Sequence, residues 1–136
     1  MRQDRQQPSR TSSDFGRLPS KEEIHRIITE GGRPLVETAE RLGRQFQQGG
    51  LTTAQIRNVF GVVKQMQMSG FDPKKFILLK PKLAYAAARA NKRGAEDFRN
   101  VISMAIDAVG ESEENFQRFV DFFEAILAYH KAAGGK

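Results

Sequence analysis

Two pairs of cations recur at a spacing of seven residues on two successive predicted helices. Arg57 and Lys64 form the first pair, and Lys82 and Arg89 form the second. At about 100° per residue, seven steps return a side chain to within roughly 20° of its starting direction, so each pair projects from one helix face. Positive charge repeated along a helix face is suited to binding a phosphate backbone.

The positive charge of the chain is concentrated in residues 51–99. This segment holds ten Lys or Arg and three acidic residues, a net charge of +7, whereas the whole chain of 136 residues carries +6. The remainder is therefore slightly acidic. The four paired cations have no acidic residue four positions before or after them, so we expect their charge to be uncompensated on the two helices.

Neutral polar and aromatic residues accompany these cations. Gln55, Asn58 and Gln65 lie on the predicted helix of the first pair, and Tyr85 lies between the two cations of the second. The ring of Tyr85 could stack on a base or pack on a neighbouring helix, and of the two we favour packing.

Residues suited to catalysis or metal binding are scarce in this sequence. The chain has no cysteine and two histidines, and it contains neither a glycine-rich phosphate loop nor a hydrolase or metalloprotease motif. His130 continues an apolar helical stripe and is predicted to be a core or rim residue. We therefore predict no catalytic residue, no metal site and no cofactor. No apolar stretch approaches the length of a membrane span, which indicates a cytoplasmic protein without a membrane partner.

The elements that position the cations follow from helix signals. Residues 1–19 are nearly all polar and predict a disordered tail, and residues 20–136 predict one α-helical domain. Capping boxes begin helices after Ser20 and after Thr52. A helix begins between them with Pro34 at its first position, and the Gly31-Gly32 and Gly49-Gly50 pairs end the first two helices.

The second half of the domain predicts further helices. Asp72 and Pro73 suggest a turn or a short helix start, and Pro81 restarts a helix in an alanine-rich stretch. A fifth helix follows a turn at residues 91–94 and ends at Gly110. The last helix begins near Ser112 and has a wide aromatic stripe. No alternating pattern predicts a strand, so the fold class is an all-α compact bundle of five to six helices.

Three phrases of the sequence resemble one known family. LTTAQIRNVFGVVKQMQ (51–67), LLKPKLAYAAAR (78–89) and AILAYHKAAGG (125–135), in this order and spacing, are similar to the small α-helical subunit of type III-A CRISPR effector complexes, the Csm small subunit. The resemblance covers roughly residues 35–135. It implies a non-catalytic RNA-binding protein of antiviral defence, stacked in two or more copies inside a ribonucleoprotein filament.

The resemblance also implies partners and site residues. The partners would be guide RNA, target RNA, the repeated backbone subunits, the large polymerase-like subunit and neighbouring copies of the chain. The basic surface of the family carries over to Arg57, Lys64, Lys80, Lys82 and Arg89. Weaker RNA-binding candidates are Lys74, Lys75, Tyr85, Lys92 and Arg93. Phe122 and Tyr129, near the third phrase, are candidates for subunit contacts.

Two other interpretations remain open at the level of sequence. Residues 35–68 could form a DNA-reading helix-turn-helix, with Thr53, Ala54, Gln55 and Arg57 at the start of the second helix. Alternatively, the aromatic last helix could mediate dimerisation, and the charge would then be incidental.

Overall fold

The computed structural model describes residues 17–136, and the regular secondary structure of this part of the chain consists of helices. The helices are α1 (Lys21–Glu30), α2 (Arg33–Gln48), α3 (Thr53–Ser69), α4 (Pro73–Phe76), α5 (Leu79–Ala90), α6 (Arg93–Val109) and α7 (Glu113–Ala132). Six of these have ten residues or more, and α4 is a single turn. The predicted all-α bundle is therefore confirmed.

Both predicted capping boxes are present. The Ser20 hydroxyl accepts the backbone N–H of Glu23, and the Glu23 carboxylate accepts the backbone N–H of Ser20. Thr52 and Gln55 form the same reciprocal pair at the start of α3. These bonds satisfy amides that have no acceptor within the helix. They set the first residue of α3, and thereby the direction in which Arg57 and Lys64 project.

Three helix starts differ from the prediction by one or two residues. Helix α2 begins one residue before Pro34, so that this proline is its second residue rather than its first. Helix α5 begins at Leu79, so that Pro81 is its third residue rather than its first. Proline is tolerated there because the first amides of a helix lack intrahelical acceptors. Helix α6 begins at Arg93, within the predicted turn, because Asn91 alone breaks the chain direction with a left-handed backbone at φ 52°.

Helix α7 lies at the centre of the core and contacts α1, α2, α3 and α6. Phe123 stacks on Phe60 of α3 with ring centroids 5.2 Å apart, and it meets the edge of Phe98 of α6 at 5.5 Å. At the other end of α7, Phe116 lies 5.2 Å from Phe76, the residue through which α4 is anchored. Such aromatic contacts add to the free energy of apolar burial.

Helices α2 and α7 approach each other closely at Gly43. A methyl group at this position would lie 2.7 Å from the backbone nitrogen of His130 and 2.8 Å from Cβ of Tyr129. The absence of a side chain therefore allows two helix backbones to touch. This contact orients α7, against which α3 packs.

His130 links the end of α7 to the start of α3. Its imidazole is fully buried, and Nε2 donates to the carbonyl of Leu51 over 2.5 Å. Nδ1 lies 3.5 Å from the hydroxyl of Thr53. The predicted core role of His130 is therefore confirmed, since both ring nitrogens have polar partners within the protein.

The predicted tail lies outside the described residues except for residues 17–19. Leu18 packs against the core, and Pro19 is buried. Arg17 lies 3.6 Å from the carboxylate of Glu23, and its carbonyl accepts a hydrogen bond from Arg41. These three residues are thus attached to the helical domain. Within residues 17–136, no helix is long and apolar enough to cross a membrane.

Candidate nucleic-acid interface

Helix α3 lies between α5 and α7. On its α5 side, Gln55 and Val59 line a narrow apolar crevice together with Ala86 and Ala90 of α5. On its α7 side, Phe60 stacks on the core as described. These contacts leave the third side of α3 open to solvent.

Arg57 and Lys64 project on the α7 side of α3. On the helical wheel they lie within about 60° of Phe60 and about 140–160° from Val59. The ammonium of Lys64 is 5.8 Å from the centroid of the Phe60 ring, in agreement with that direction. Both side chains are exposed.

Lys82 and Arg89 project from the edge of α5 that borders α3. Both lie within about 60° of Ala86, which lines the crevice between the two helices. The two cation pairs therefore form two rows rather than one continuous strip. Between them lies the outward face of α3, whose exposed residues are Ala54, Asn58, Gly61, Gln65 and Met68.

The charge of these four cations is uncompensated within residues 17–136. None of them forms an ion pair there, and neither α3 nor α5 contains an acidic residue. Seven residues at 1.5 Å each separate the members of a row by roughly 10 Å along the helix. We call this set of four exposed, unpaired cations the basic quartet: Arg57, Lys64, Lys82 and Arg89.

Two exposed acidic side chains, Asp121 and Glu124, lie on the side of α7 that borders the α3 row of the basic quartet. Gln67 of α3 donates to Gln117 of α7 over 2.9 Å, which places Gln117 at the border between these helices. Asp121 follows Gln117 by four residues and Glu124 follows it by seven, so both lie on the same side of α7 as Gln117. The α5 row has no such neighbour on its own helix or on α3.

The other predicted RNA-binding cations differ in their surroundings. Lys80 is paired with Asp107 of α6, at 2.7 Å between Nζ and Oδ1, so its charge is compensated, and its role in RNA binding stays a prediction. Lys74 and Lys75 are exposed on α4, and Lys92 is exposed before α6. Arg93 lies 3.7 Å from Asp97.

The carboxyl of Asp97 has a shifted pKa because this residue is partly buried. Burial raises the pKa of its carboxyl above the ordinary 3.8, although Arg93 and a hydrogen bond from Gln45 act in the opposite direction. The other amide atom of Gln45, Oε1, is buried and accepts no hydrogen bond. Ionised Asp97 therefore destabilises the fold, and the adjacent amide lacks a donor.

We expect Asp97→Asn to stabilise the protein at pH 7 by about 1 kcal/mol, because the neutral amide avoids the burial of charge and supplies a donor to Gln45. In the wild type, the folded state binds the Asp97 proton more tightly than the unfolded state. Protonation of Asp97 therefore contributes to the free energy of unfolding in full below pH 3.8. This contribution is lost as the pH rises through the raised pKa of the folded state.

Urea unfolding at pH 7 and at acidic pH measures this effect. Asp121→Asn is the matched control, since it removes the same charge from an exposed position without an ion pair in residues 17–136. It should change the unfolding free energy by less than about 0.5 kcal/mol. A loss of stability in Asp97→Asn at pH 7 would contradict the assignment.

The expectation that Tyr85 packs in the interior is wrong. Its side chain is 66% exposed, and the guanidinium of Arg89 lies 5.9 Å from its ring centroid. Helix α5 packs through Leu79, Leu83 and Ala87, a stripe that does not include position 85. The ring thus belongs to the exposed basic surface.

Phe122 and Tyr129 were predicted to contact other subunits. Phe122 is fully buried in the core, so the prediction is wrong for this residue. The wide stripe of α7 is buried on several sides because this helix lies at the centre of the bundle. Tyr129 is half-buried and borders a shallow pocket with Glu40 and Arg44, and its role in a subunit contact stays a prediction.

Four exposed apolar side chains were not singled out from the sequence, and one of them is Val36 of α2, which is 44% exposed. Met68 is 83% exposed, and Ile77 and Leu78 are exposed between α4 and α5. Phe76 to Leu79 form a short apolar run, and the sequence alone does not separate its buried members from its exposed ones. The buried ones are Phe76 and Leu79.

The structure also bears on the two alternative interpretations. Thr53 is buried beside His130, so the first turn of α3 lacks one of the side chains that a DNA-reading helix would expose. The phenylalanines of α7 are buried in the core of the same chain: Phe116, Phe119, Phe122 and Phe123. These side chains are therefore buried within a single chain and are not available for contact with a second copy.

A protein-family model described as Csm2 Type III-A matches residues 29–136. The chain belongs to this family. As a Csm2 family member, it is a small subunit of a type III-A CRISPR complex, and it assembles with other Csm subunits. Comparisons with curated proteins and with solved structures give no match. The matched range contains α2 to α7 and hence all four residues of the basic quartet.

Proposed function

We propose that the chain is a non-catalytic structural subunit that contacts the guide RNA and target RNA of its complex in antiviral defence. The observation that carries this proposal is the basic quartet, whose charges are exposed and unpaired on two helices without acidic residues. Phosphates repeat along every RNA strand irrespective of its sequence. Contacts to them therefore give binding without sequence preference.

The arrangement of the quartet suits such binding. Two rows of cations border the exposed face of α3, where Asn58 and Gln65 supply neutral hydrogen-bonding groups. A strand or duplex placed on this face has cations on both sides. Since the side chains reach outward from helices held by the core, the rows keep their spacing when RNA binds.

Partner subunits need a surface other than the basic one. Three exposed apolar residues lie where α3 ends and directly after α4: Met68, Ile77 and Leu78. Exposed apolar groups of this kind favour protein contacts. In this proposal, the neighbours are the repeated backbone subunits, the large polymerase-like subunit and further copies of the chain.

The dependence of RNA binding on salt and sequence tests the proposal. We expect the full chain, alone and in its assembled complex, to bind several RNAs of unrelated sequence with affinities that agree within about threefold. The logarithm of the binding constant should fall with the logarithm of salt concentration with a slope of about −3, because four phosphate contacts each contribute about 0.7 on a single strand.

Two results would reject the RNA-contact proposal. One is no binding of RNA at low salt by either form of the protein. The other is a strong preference for one duplex DNA sequence in a selection experiment, which would favour the helix-turn-helix interpretation.

A further inference from the structure

Tyr85 is an exposed aromatic side chain with no role in the fold. Among the phenylalanines and tyrosines of residues 17–136, Tyr85 is the one whose side chain is mostly exposed. Its hydroxyl forms no hydrogen bond within that range. Burial of an aromatic ring contributes strongly to folding, and this contribution is absent at position 85. The exposed ring is therefore free to contact a ligand.

The surroundings of Tyr85 select the kind of ligand. Lys82 precedes it by three residues and Arg89 follows it by four, so all three side chains project from neighbouring directions on α5. A strand whose phosphates contact both cations passes beside the ring, which lies about 40–60° to one side of them on the helix. The negative charge of such a strand meets no acidic group on α3 or α5.

Arg89 also positions the ring. Its guanidinium carbon lies 5.9 Å from the ring centroid, within the range of a cation–π contact. Ala88, three residues after Tyr85 and therefore on the same side of α5, is small and leaves space for a flat group. One face of the ring borders Arg89, and the rest is accessible from solvent.

We propose that Tyr85 stacks on an unpaired base of an RNA strand held by Lys82 and Arg89. A base within a continuous duplex is covered on both faces by its neighbours, whereas an unpaired base offers a face to the ring. Every base has such a face, so the contact carries no sequence preference. The surface then distinguishes single-stranded RNA, or a duplex with an unpaired nucleotide, from a continuous duplex. This inference rests on the proposed RNA contact.

The test compares variants of the full chain on a single-stranded RNA and on a blunt duplex of equal length. Tyr85→Leu should bind the single strand about 5-fold to 150-fold more weakly, in line with the loss of one base–aromatic stack. Its affinity for the duplex should change by less than about twofold. Tyr85→Phe keeps the ring and should match the wild type on both RNAs.

A spectroscopic signal checks the stacking directly. The chain contains no tryptophan, so Tyr85→Trp has a single indole. Its fluorescence should be quenched by saturating single-stranded RNA and remain unchanged with the duplex.

The result for a Lys82→Ala, Arg89→Ala double variant separates this inference from the proposed function. If Tyr85→Leu binds the single strand like the wild type while the double variant binds it more weakly, stacking is rejected and the phosphate contact stands. If neither variant changes binding, both are rejected. Equal losses on single strand and duplex in Tyr85→Leu would also overturn the inference.

Discussion

Replacement of the whole basic quartet by alanine is expected to weaken RNA binding by roughly 1,000-fold. Each charge-assisted contact to a phosphate contributes about 1 kcal/mol, and all four side chains are exposed and unpaired within residues 17–136. The salt dependence should fall in parallel, with a change in slope of about 3. Filter binding or fluorescence anisotropy across a salt series measures both quantities.

A second variant controls for the loss of net charge. It replaces four arginines that each form an ion pair with a nearby acid: Arg26, Arg33, Arg44 and Arg99. The net charge falls by the same four units, and the loss of exposed ion pairs costs little stability. This variant should bind RNA within about threefold of the wild type. An equal loss of affinity in both variants would mean that total charge, rather than the quartet, governs binding.

Gly43→Ala is expected to destabilise the protein by about 2–3 kcal/mol, because a new methyl group would overlap backbone atoms. The added Cβ would lie 2.7 Å from the nitrogen of His130, and Tyr129 blocks a shift to the side. Helices α2 and α7 would have to separate at this contact. Urea unfolding followed by circular dichroism gives the change in free energy.

Gly61→Ala is the matched control for this substitution. Gly61 also lies in the middle of a long helix, but a methyl group there has no neighbouring atom within 4 Å. Alanine lowers the entropy of the unfolded chain, so we expect a gain of about 0.5–1 kcal/mol. The two variants share one chemical change, and their opposite signs would isolate the helix contact. Destabilisation by both would show that the α2–α7 contact has no special role.

The local sequence was sufficient to predict the helices. Ser20 and Thr52 each cap a helix through bonds that span three residues, and such bonds form without distant parts of the chain. The seven-residue spacing of Arg57 and Lys64 likewise determines a shared face once the helix exists. Local signals compete around Pro81, and there the helix begins two residues before the predicted start.

The environment of each side chain depended on the tertiary structure. Lys80 has no acid nearby in sequence, yet Asp107 of another helix neutralises it at 2.7 Å. Tyr85 was predicted to pack against a neighbouring helix but is exposed, whereas Phe122 was predicted to contact another subunit but is buried in the core. Periodicity defines directions around one helix, but the identity of the neighbouring helix on each side comes from packing.

By itself, the sequence determined the helical elements and the directions of the cations on each helix, because both depend on interactions within a few turns. Only the tertiary structure decided that α3 lies between α5 and α7, so that the cations form two rows around an exposed helix face. It also decided which charges remain unpaired. The physical reason is that packing and ion pairing join residues far apart in the chain, whereas helix formation joins near ones.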